Sequence, residues 1–282
     1  SSNELIKPTL PEKITALVHF GRSGTGLMHS LIDGHPDVST LPSVYFSEFF
    51  DHSTWDRITA GGWDELVDRF IAMYPVFFDA RAPDPIQTQS GLKFWDAGIK
   101  EGMTCLGEHK DEFLFINKEL FRESLVRYLS CYSTIDAYSF FELVHIAYEE
   151  AMKNGKRKKH IFYHVHNPGT YAKLNLLNFV PGSAWVIMVR EPLQSCESWI
   201  RLPFKENDYQ VVAFRIVAML YEMTSVIFRN YSAIGVRLED LKVSPEKTIP
   251  ALCKWMNIKE EPGLYEGTAQ GKKWWGDPSS PE

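Results

Sequence analysis

A glycine-rich segment near the start of the chain has the composition of an anion-binding loop. Residues 21–27 read Gly-Arg-Ser-Gly-Thr-Gly-Leu and follow a β-rich apolar run over residues 14–20. Glycines permit a tight turn, and free N–H groups at the start of the following helix bind anions. Ser23 and Thr25 add hydroxyl donors, and Arg22 adds a permanent charge with a forked set of donors. The segment departs from the Walker A and Gly-x-Gly-x-x-Gly patterns. The alternative interpretation is a glycine-rich β-to-α turn that binds no ligand.

A second polar segment follows the most continuously apolar run of the chain. Residues 184–189 are all apolar, which is typical of a strand covered on both faces, and Arg190 comes directly after them. Pro192 fits the first position of a helix. The Ser198 hydroxyl then lies about two turns into that helix, where it can share one anionic group with Arg190. Taken alone, an arginine at the end of a strand can equally pair with a carboxylate.

Two histidines lie at the end of a further predicted strand, over residues 161–166, which Asn167-Pro168-Gly169 closes. Alternation along a strand places His164 and His166 on the same face, near its carboxyl end. A neutral imidazole with a pKa near ~6.5 accepts a proton at physiological pH. The pair therefore has the chemistry of a general base, although a hydrogen-bonded strand histidine can also be purely structural.

These segments belong to a pattern of strands separated by helices. Further strands are predicted to end near Leu41 and to cover residues 233–238, and helices are predicted over 27–32, 170–179 and 245–256. Residues 55–151 have a mostly helical pattern. The pattern indicates an α/β fold with a mostly parallel sheet, in which ligands bind at the carboxyl ends of the strands.

Composition excludes several classes of protein. The 282 residues are 44% hydrophobic and 23% charged, which fits a single globular domain, and residues 1–13 are interpreted as a tether. A net charge of −6 argues against a nucleic-acid-binding surface. Four dispersed cysteines without a Cys-x-x-Cys pair suit a reducing cytoplasm and predict no metal site. The apolar run over 211–220 is too short to span a membrane and is interpreted as a buried helix.

The two polar segments together resemble the phosphate sites of sulfotransferases that use 3′-phosphoadenosine 5′-phosphosulfate (PAPS). In that family a loop after the first strand holds the 5′-phosphosulfate, and an arginine with a serine eight residues later holds the 3′-phosphate. Arg190 and Ser198 have that spacing. Residues 237–255 are similar to a further block of the family. The resemblance implies a P-loop-like central parallel β-sheet flanked by helices, with a helical insertion over residues 45–155 covering the acceptor site.

The resemblance also implies a role for each residue of these segments. Arg22 would stabilise the leaving 5′-phosphate of the product, 3′-phosphoadenosine 5′-phosphate. The residues that would wrap this phosphate are Ser23, Gly24, Thr25, Gly26 and Leu27. The tail over residues 271–277 is similar to a family loop near the 3′-phosphate, and Lys272 is its cation because a glycine replaces the family arginine at 271. Trp274 and Trp275 would cover the donor site or anchor the tail.

The resemblance assigns the catalytic base to His166, on the strand that precedes the arginine strand. His164 takes the place of a lysine, and it would polarise the sulfuryl group or shape the pocket. Glu48 is the rival base, because other branches of the superfamily use a glutamate in this early region. His29 and His35 are interpreted as structural. His19, which faces either the sheet edge or the donor, is left open.

The motifs are closest to those of the sulfotransferase domains embedded in bacterial polyketide and olefin synthases of the curacin type. That resemblance implies a β-hydroxyacyl chain on an acyl carrier protein as acceptor, activated by sulfation for a later decarboxylative elimination. The basic run over residues 156–159 would be a solvated turn or a docking site for the acidic carrier. The alternatives are a free small alcohol or carbohydrate as acceptor, or a non-catalytic nucleotide-binding module. A phosphoryl-transfer enzyme is disfavoured because no Walker lysine is present.

Overall fold

A parallel sheet of five strands forms the centre of the protein in a computed structural model that describes residues 7–88, 91–166, 170–222, 224–230 and 232–278. The strands in chain order are β1 Lys13–His19, β2 Val38–Ser39, β3 Asp84–Thr88, β4 Gly91–Trp95, β5 His160–His164, β6 Ala184–Val189, β7 Ser232–Arg237, β8 Thr268–Ala269 and β9 Lys272–Lys273. The central sheet has the order β2-β5-β1-β6-β7, and every pairing in it is parallel. The predicted α/β class is therefore confirmed.

Helices cover both faces of this sheet. They are α1 Thr25–Ile32, α2 His52–Thr59, α3 Leu66–Met73, α4 Ala97–Lys100, α5 Lys118–Leu129, α6 Ala137–Ala151, α7 Thr170–Phe179, α8 Pro192–Lys205, α9 Tyr209–Glu222, α10 Val226–Asn230, α11 Leu238–Val243 and α12 Pro245–Met256. Trp185 to Met188 of β6 are buried, because the sheet contributes apolar side chains to a core on each face. The prediction of a strand covered on both faces is confirmed.

The register of the sheet aligns the carboxyl ends of three neighbouring strands. Leu17 of β1 lies opposite His164 of β5 on one side and Val186 of β6 on the other, and His19 lies opposite Met188. The segments that follow these strands therefore emerge side by side at one edge. This edge carries the glycine-rich loop, the two histidines and Arg190.

Helices α2 to α6 lie within residues 45–155, but they do not make up most of this region, which also contains the antiparallel hairpin β3–β4. The sequence pattern missed this hairpin, because Pro83-Asp84-Pro85 has the composition of a break rather than of a strand. The helices of this region bury a cluster of phenylalanines, including Phe46, Phe70 and Phe141. Much of the aromatic content of the chain is thus used in the core.

Two predictions need correction at their boundaries or in their environment. Strand β5 ends at His164, so His166 lies two residues beyond it, and residues 167–169 lie outside the described part of the chain. The run over 211–220 does form a helix, but the helix is not buried. Met219 is the only residue of α9 in the buried class, whereas Phe214 is 70% and Tyr221 67% exposed. No part of the described chain covers this side of α9.

Residues 209–229 are also the one stretch of the described chain that is long and apolar enough to cross a membrane by length and composition. A single such stretch is weak evidence for a membrane span. The helix α9 ends at Glu222, and a separate helix begins at Val226.

Candidate functional site

The glycine-rich loop connects β1 to α1 with two residues in left-handed backbone conformations. Gly21 has φ 63°, and Gly24, the N-cap of α1, has φ 82° and ψ 33°. A side chain is strained in this region of backbone space, so glycine is needed at the N-cap. A Cβ on Gly24 would also lie 2.6 Å from a methyl carbon of Leu238. The sequence thus dictates a tight loop that brings the start of α1 to the sheet edge.

Hydrogen bonds attach this loop to the neighbouring strand β6 and to helix α8. The Ser23 hydroxyl is buried and donates to the Met188 carbonyl over 2.8 Å, and the Ser195 hydroxyl donates to the Phe20 carbonyl over 3.0 Å. Because its proton is directed at the backbone, the Ser23 hydroxyl differs from the free donor expected from the sequence. Ser23 can still contribute its backbone N–H to an anion.

The start of α1 offers further donors. The N–H groups of Thr25, Gly26 and Leu27 lie in the first turn, where no carbonyl of the same helix can accept from them. Arg22 is exposed at the tip of the loop. A cation beside helix N-terminal N–H groups is an arrangement that fits a phosphate or phosphosulfate group.

The C-terminal segment lies over this helix start. A Cβ on Gly26 would lie 3.3 Å from a ring carbon of Trp274, and Trp274 Nε1 donates to the Glu101 carbonyl over 2.9 Å. Trp275 Nε1 donates to the Gly107 carbonyl over 2.7 Å. Trp274 therefore covers the start of α1, and Trp275 anchors the C-terminal segment.

Arg190 and Ser198 lie at the end of β6 and on α8, and their role as a second anion site stays a prediction. Arg190 follows β6 directly, Pro192 is the first residue of α8, and Ser198 lies in the second turn of that helix. The Glu239 carboxylate accepts from the Glu191 N–H over 3.0 Å. This hydrogen bond, and more weakly the nearby Arg237 and Arg190 charges, holds the pKa of Glu239 below its usual value. Arg190 therefore lies near the Glu239 carboxylate as well as near β1, the strand that precedes the glycine-rich loop.

Lys272 has partners elsewhere in the fold. Its ammonium group forms an ion pair with Glu112 over 2.9 Å and lies 3.4 Å from the Phe113 carbonyl oxygen. The hairpin β8–β9 is attached to the far end of α1, where Asp33 accepts from Gly271 N–H over 2.9 Å. None of the contacts described for Lys272 joins it to Arg190, and its role in nucleotide binding stays a prediction.

Four histidines form a row beneath the loop. The ring centroids of His19 and His166 are 5.5 Å apart, those of His166 and His164 are 5.2 Å apart, and those of His164 and His29 are 5.7 Å apart. The predicted proximity of His164 and His166 is thus confirmed. His19, which the sequence left open, belongs to the same row and donates from Nδ1 to the Gly21 carbonyl over 2.6 Å.

Burial keeps three histidines of this row, His29, His164 and His166, neutral by lowering the pKa of each. Desolvation, together with the neighbouring His19 and Arg22 charges, lowers the pKa of His166 to about 4. Burial and the adjacent histidines lower the pKa of His164 well below its ordinary value, and burial also lowers that of His29. A neutral ring has a lone pair that can accept a proton, so the row is chemically suited to general-base catalysis.

His29 and His35 differ in their surroundings. His35 bonds to backbone groups only, from Nε2 to the Lys259 carbonyl over 2.8 Å and at Nδ1 from the Asp37 N–H over 3.1 Å. It has the structural role expected of it. His29, by contrast, lines a cavity beside His164.

Two carboxyl groups have raised pKa values, and one of them lines the cavity. Glu48 accepts a hydrogen bond from the Tyr74 hydroxyl over 3.0 Å, and burial raises its pKa. Glu101, which sequence reasoning missed, lines the cavity, and burial followed by the nearby Asp277 raises its pKa to about 7. Its position in a weakly patterned loop region gave no signal, because its proximity to Arg22 and Asp277 arises only from tertiary packing.

The cavity has a volume of about 350 Å³ and follows one face of α1. Gly26, His29 and Ser30 of α1 line the cavity, and so do Asp33 and Gly34 directly after the helix, so the cavity extends roughly 12 Å along α1. Its inner end reaches the glycine-rich loop and the outer end reaches the basic run after α6. The other walls are mostly apolar, among them Leu41, Val44, Met103 and Met152.

The basic run over residues 156–159 is largely paired within the chain. Lys156 contacts Asp37 at 2.6 Å, Lys158 contacts the buried Glu149 at 3.3 Å, and Lys159 lies 3.7 Å from Glu12. The Arg157 guanidinium donates to the Leu10 carbonyl over 2.6 Å. Lys156 and Lys158 nevertheless line the mouth of the cavity.

No cluster of three or more His, Cys, Asp or Glu side chains able to hold a metal ion was found within the described ranges.

Comparison with known proteins gives structural similarity without sequence similarity. No protein-family model matches the chain, and no curated protein matches its sequence. The chain is similar in structure to the sulfotransferase domain from the curacin biosynthetic pathway, with 16% identity, 97% of this chain and 83% of that chain covered, and a TM-score of 0.42. It is also similar to the sulfotransferase domain of the Synechococcus PCC 7002 olefin synthase, with 13% identity, coverage of 99% and 88%, and a TM-score of 0.46. The sulfotransferase STF9 from Mycobacterium avium shows 13% identity, coverage of 94% and 68%, and a TM-score of 0.45. At this level of identity and overlap, the function has to be inferred from the residues of the site.

Proposed function

We propose that the chain is a sulfotransferase that moves the sulfuryl group of PAPS to a hydroxyl group. The observation that supports this function is the order of three neighbouring strand ends. The glycine-rich loop after β1 lies between the histidines at the end of β5 and Arg190 at the end of β6. An anion cradle with a base on one side and a second cation on the other is the arrangement that sulfuryl transfer requires.

The residues of the loop fit the phosphate groups of this nucleotide. The N–H groups of the first turn of α1 have no acceptor within the helix, and they lie beside Arg22, where they could bind an anion. Arg22 would balance the charge of the 5′-phosphate, and Arg190 with Ser198 would hold the 3′-phosphate. When bound, PAPS supplies an activated sulfuryl group, and the product is 3′-phosphoadenosine 5′-phosphate.

His166 is assigned as the base that removes the acceptor proton. It is neutral at physiological pH, and it lies 5.5 Å from the His19 ring and 5.2 Å from the His164 ring, measured between ring centroids. His164 lines the cavity, so it would orient the acceptor hydroxyl or polarise the transferring group. Glu48 remains the second candidate for the base. Its hydrogen bond to Tyr74 directs one carboxylate oxygen into the core of the helical region.

The cavity along α1 is proposed as the acceptor site. It leads from His164 to the surface beside Lys156 and Lys158. A volume of about 350 Å³ over a length of roughly 12 Å gives a cross-section that admits a single extended chain. A β-hydroxyacyl chain on an acyl carrier protein fits this shape, with the acidic carrier outside the mouth in the cytoplasm. A free alcohol or carbohydrate is the alternative acceptor, since polar groups such as Ser30 and Gln270 also line the cavity.

The proposal is tested by incubating the full chain with PAPS and either a β-hydroxyacyl carrier protein or a set of free alcohols. We expect the mass of one sulfuryl group to be added to the carrier-bound chain. Arg190→Ala should lower the rate at limiting PAPS by about 10- to 100-fold, the loss of a charge-assisted hydrogen bond. Arg201→Ala is the matched control, because Arg201 lies exposed on α8 and pairs with Glu197 over 3.2 Å.

Each outcome has a distinct meaning. Transfer to free alcohols with none to the carrier would retain the sulfotransferase and replace the acceptor. Binding of 3′-phosphoadenosine 5′-phosphate without transfer to any hydroxyl would support a non-catalytic nucleotide-binding module. Absence of both binding and transfer would reject the proposed function.

A further inference from the structure

The outer side of helices α8 and α9 exposes an unusually large apolar area, called the α8–α9 surface. It consists of the exposed large apolar side chains of these two helices, three on α8 and six on α9, and is centred on Phe214, Val217 and Tyr221. Phe204 of α8 and Tyr209 of α9 extend it, with ring centroids 6.0 Å apart. The most exposed residues of α9 have helical spacing, so they form one continuous stripe.

Helix α8 exposes the charged pair Glu197–Arg201, but the stripe on α9 lacks charge because the charged residues of α9 are directed inward. The helix contains one arginine and one glutamate. The Arg215 guanidinium donates to the Trp199 carbonyl, and Glu222 pairs with Lys173 over 2.6 Å. The stripe therefore presents only uncharged side chains, which is unfavourable for a surface that faces water permanently.

The size of the surface matches one half of a protein interface. With about 150–250 Å² for each fully exposed aromatic side chain and somewhat less for each aliphatic one, its apolar side chains expose on the order of 1,000 Å². The largest apolar patch of a typical monomer covers about 300–600 Å², whereas a stable complex buries about 800 Å² on each partner. An interface this apolar is typical of homodimers.

A lipid surface fits less well. Interfacial helices carry lysine and arginine on their polar face, whereas α9 has no lysine and its single arginine is bound inward. The chain has a net charge of −6, which disfavours anionic membranes. The apolar stretch over residues 209–229 is long enough to cross a bilayer, but a single stretch of this kind is weak evidence for a membrane span.

We infer that the α8–α9 surface is a dimer interface, in which α9 packs against α9 of a second copy around a two-fold axis. A two-fold interface uses the same patch on both copies, so a self-complementary apolar stripe is sufficient to form it. The inner side of the same helix touches the anion loop: a Cβ on Gly21 would lie 3.0 Å from the terminal carbon of Met219, which is 6% exposed. Dimerisation would therefore fix the position of α9, which contacts the anion loop through Met219.

Light scattering of the full chain over a range of concentrations tests this inference. We expect a dimer, and Val217→Lys should weaken it by at least about 30-fold, as for an interface hot spot. Val243→Lys is the matched control, because Val243 on α11 is 80% exposed and lies outside the surface. Both variants should retain the wild-type far-ultraviolet circular dichroism, since each places lysine at a site that is exposed in the single chain.

Hydrogen exchange of the wild-type chain provides a readout that needs no variant. Amides of α9 should become more protected as the protein concentration rises through the dissociation constant, and those of α5 should not. A wild-type chain that is monomeric at every concentration would overturn the inference, as would a dimer that Val217→Lys leaves intact. A monomer that sediments with phosphatidylcholine–phosphatidylglycerol vesicles would replace the dimer with a lipid contact. These outcomes do not depend on whether the chain transfers sulfuryl groups.

Discussion

If His166 is the base, its lowered pKa predicts how the rate of transfer changes as the pH falls from 7 to 5. An ordinary histidine base, with a pKa near ~6.5, is only about 3% deprotonated at pH 5, so the rate falls roughly 30-fold from its plateau. Burial and the neighbouring His19 and Arg22 charges lower the pKa of His166 to about 4. At pH 5 such a base is still about 90% deprotonated. The donor-free enzyme should therefore lose almost none of its activity between pH 7 and pH 5.

The assay is kcat/KM for PAPS at a fixed, subsaturating acceptor concentration, because this quantity follows the ionisation of the donor-free enzyme. His166→Ala should lower the rate by about 100- to 10,000-fold, the usual contribution of a general base. Nuclear magnetic resonance titration of the histidine side chains gives the pKa of His166 directly and needs no turnover.

A carboxyl base gives a different profile. Burial and the nearby Asp277 raise the pKa of Glu101 to about 7, so a rate that depended on ionised Glu101 would fall to about 1% of its plateau at pH 5. A 30- to 100-fold loss at pH 5 in a protein that is still folded would therefore refute the assignment of His166 as a base with a low pKa. Undiminished activity of His166→Ala would refute it independently, and Glu48→Gln would then be the next variant.

The fold must be monitored over the same range. Because burial lowers the folded pKa of His145 to about 3 and that of His160 to about 4, their contribution to stability is present above pH 6.5 and is lost as the pH falls. Each buried histidine of this kind removes roughly 2 kcal/mol between neutral pH and pH 5. Glu101 and Glu142, whose folded pKa is raised to about 7, act in the opposite direction and stabilise the fold as the pH falls below 7. Circular dichroism at pH 5 shows whether this balance keeps the chain folded.

Three further predictions concern the loop and its surroundings. Gly24→Ala should destabilise the chain by about 1–2 kcal/mol in denaturant unfolding because of its left-handed backbone, and it should weaken nucleotide binding. Leu238→Ala removes the side chain that the new Cβ would meet at 2.6 Å, so relative to Leu238→Ala alone the double variant should show only the backbone penalty. Glu101→Gln should reduce the loss of nucleotide affinity as the pH rises through 7, because the ionised carboxylate adds a negative charge near Arg22; equal pH dependence in calorimetric titrations of both proteins would contradict this. Lys272→Ala should lower the affinity for 3′-phosphoadenosine 5′-phosphate less than Arg190→Ala does, because Lys272 is held by its ion pair with Glu112, and the reverse order would place Lys272 at the 3′-phosphate.

Local sequence determined the elements of the site because each depends on a few neighbouring residues. The glycines at 21 and 24 require a tight β-to-α turn, the apolar run over 184–189 requires a doubly covered strand, and Pro192 starts the helix that carries Ser198. Parallel pairing of strands that alternate with helices then places the ends of β1, β5 and β6 at one edge. The class of the fold and the location of the site could therefore be predicted from the sequence.

Tertiary structure decided which side chains are available at that edge. The Ser23 hydroxyl donates to the Met188 carbonyl, and Lys272 pairs with Glu112. Glu101 joins the site from a segment without a motif, and only the packing shows that His19 lies against His166. The exposure of α9 is of the same kind, because an apolar helix is equally compatible with a core and with an interface until its surroundings are known. These features depend on contacts between residues far apart in the chain, and such contacts leave no periodic or compositional pattern along the sequence.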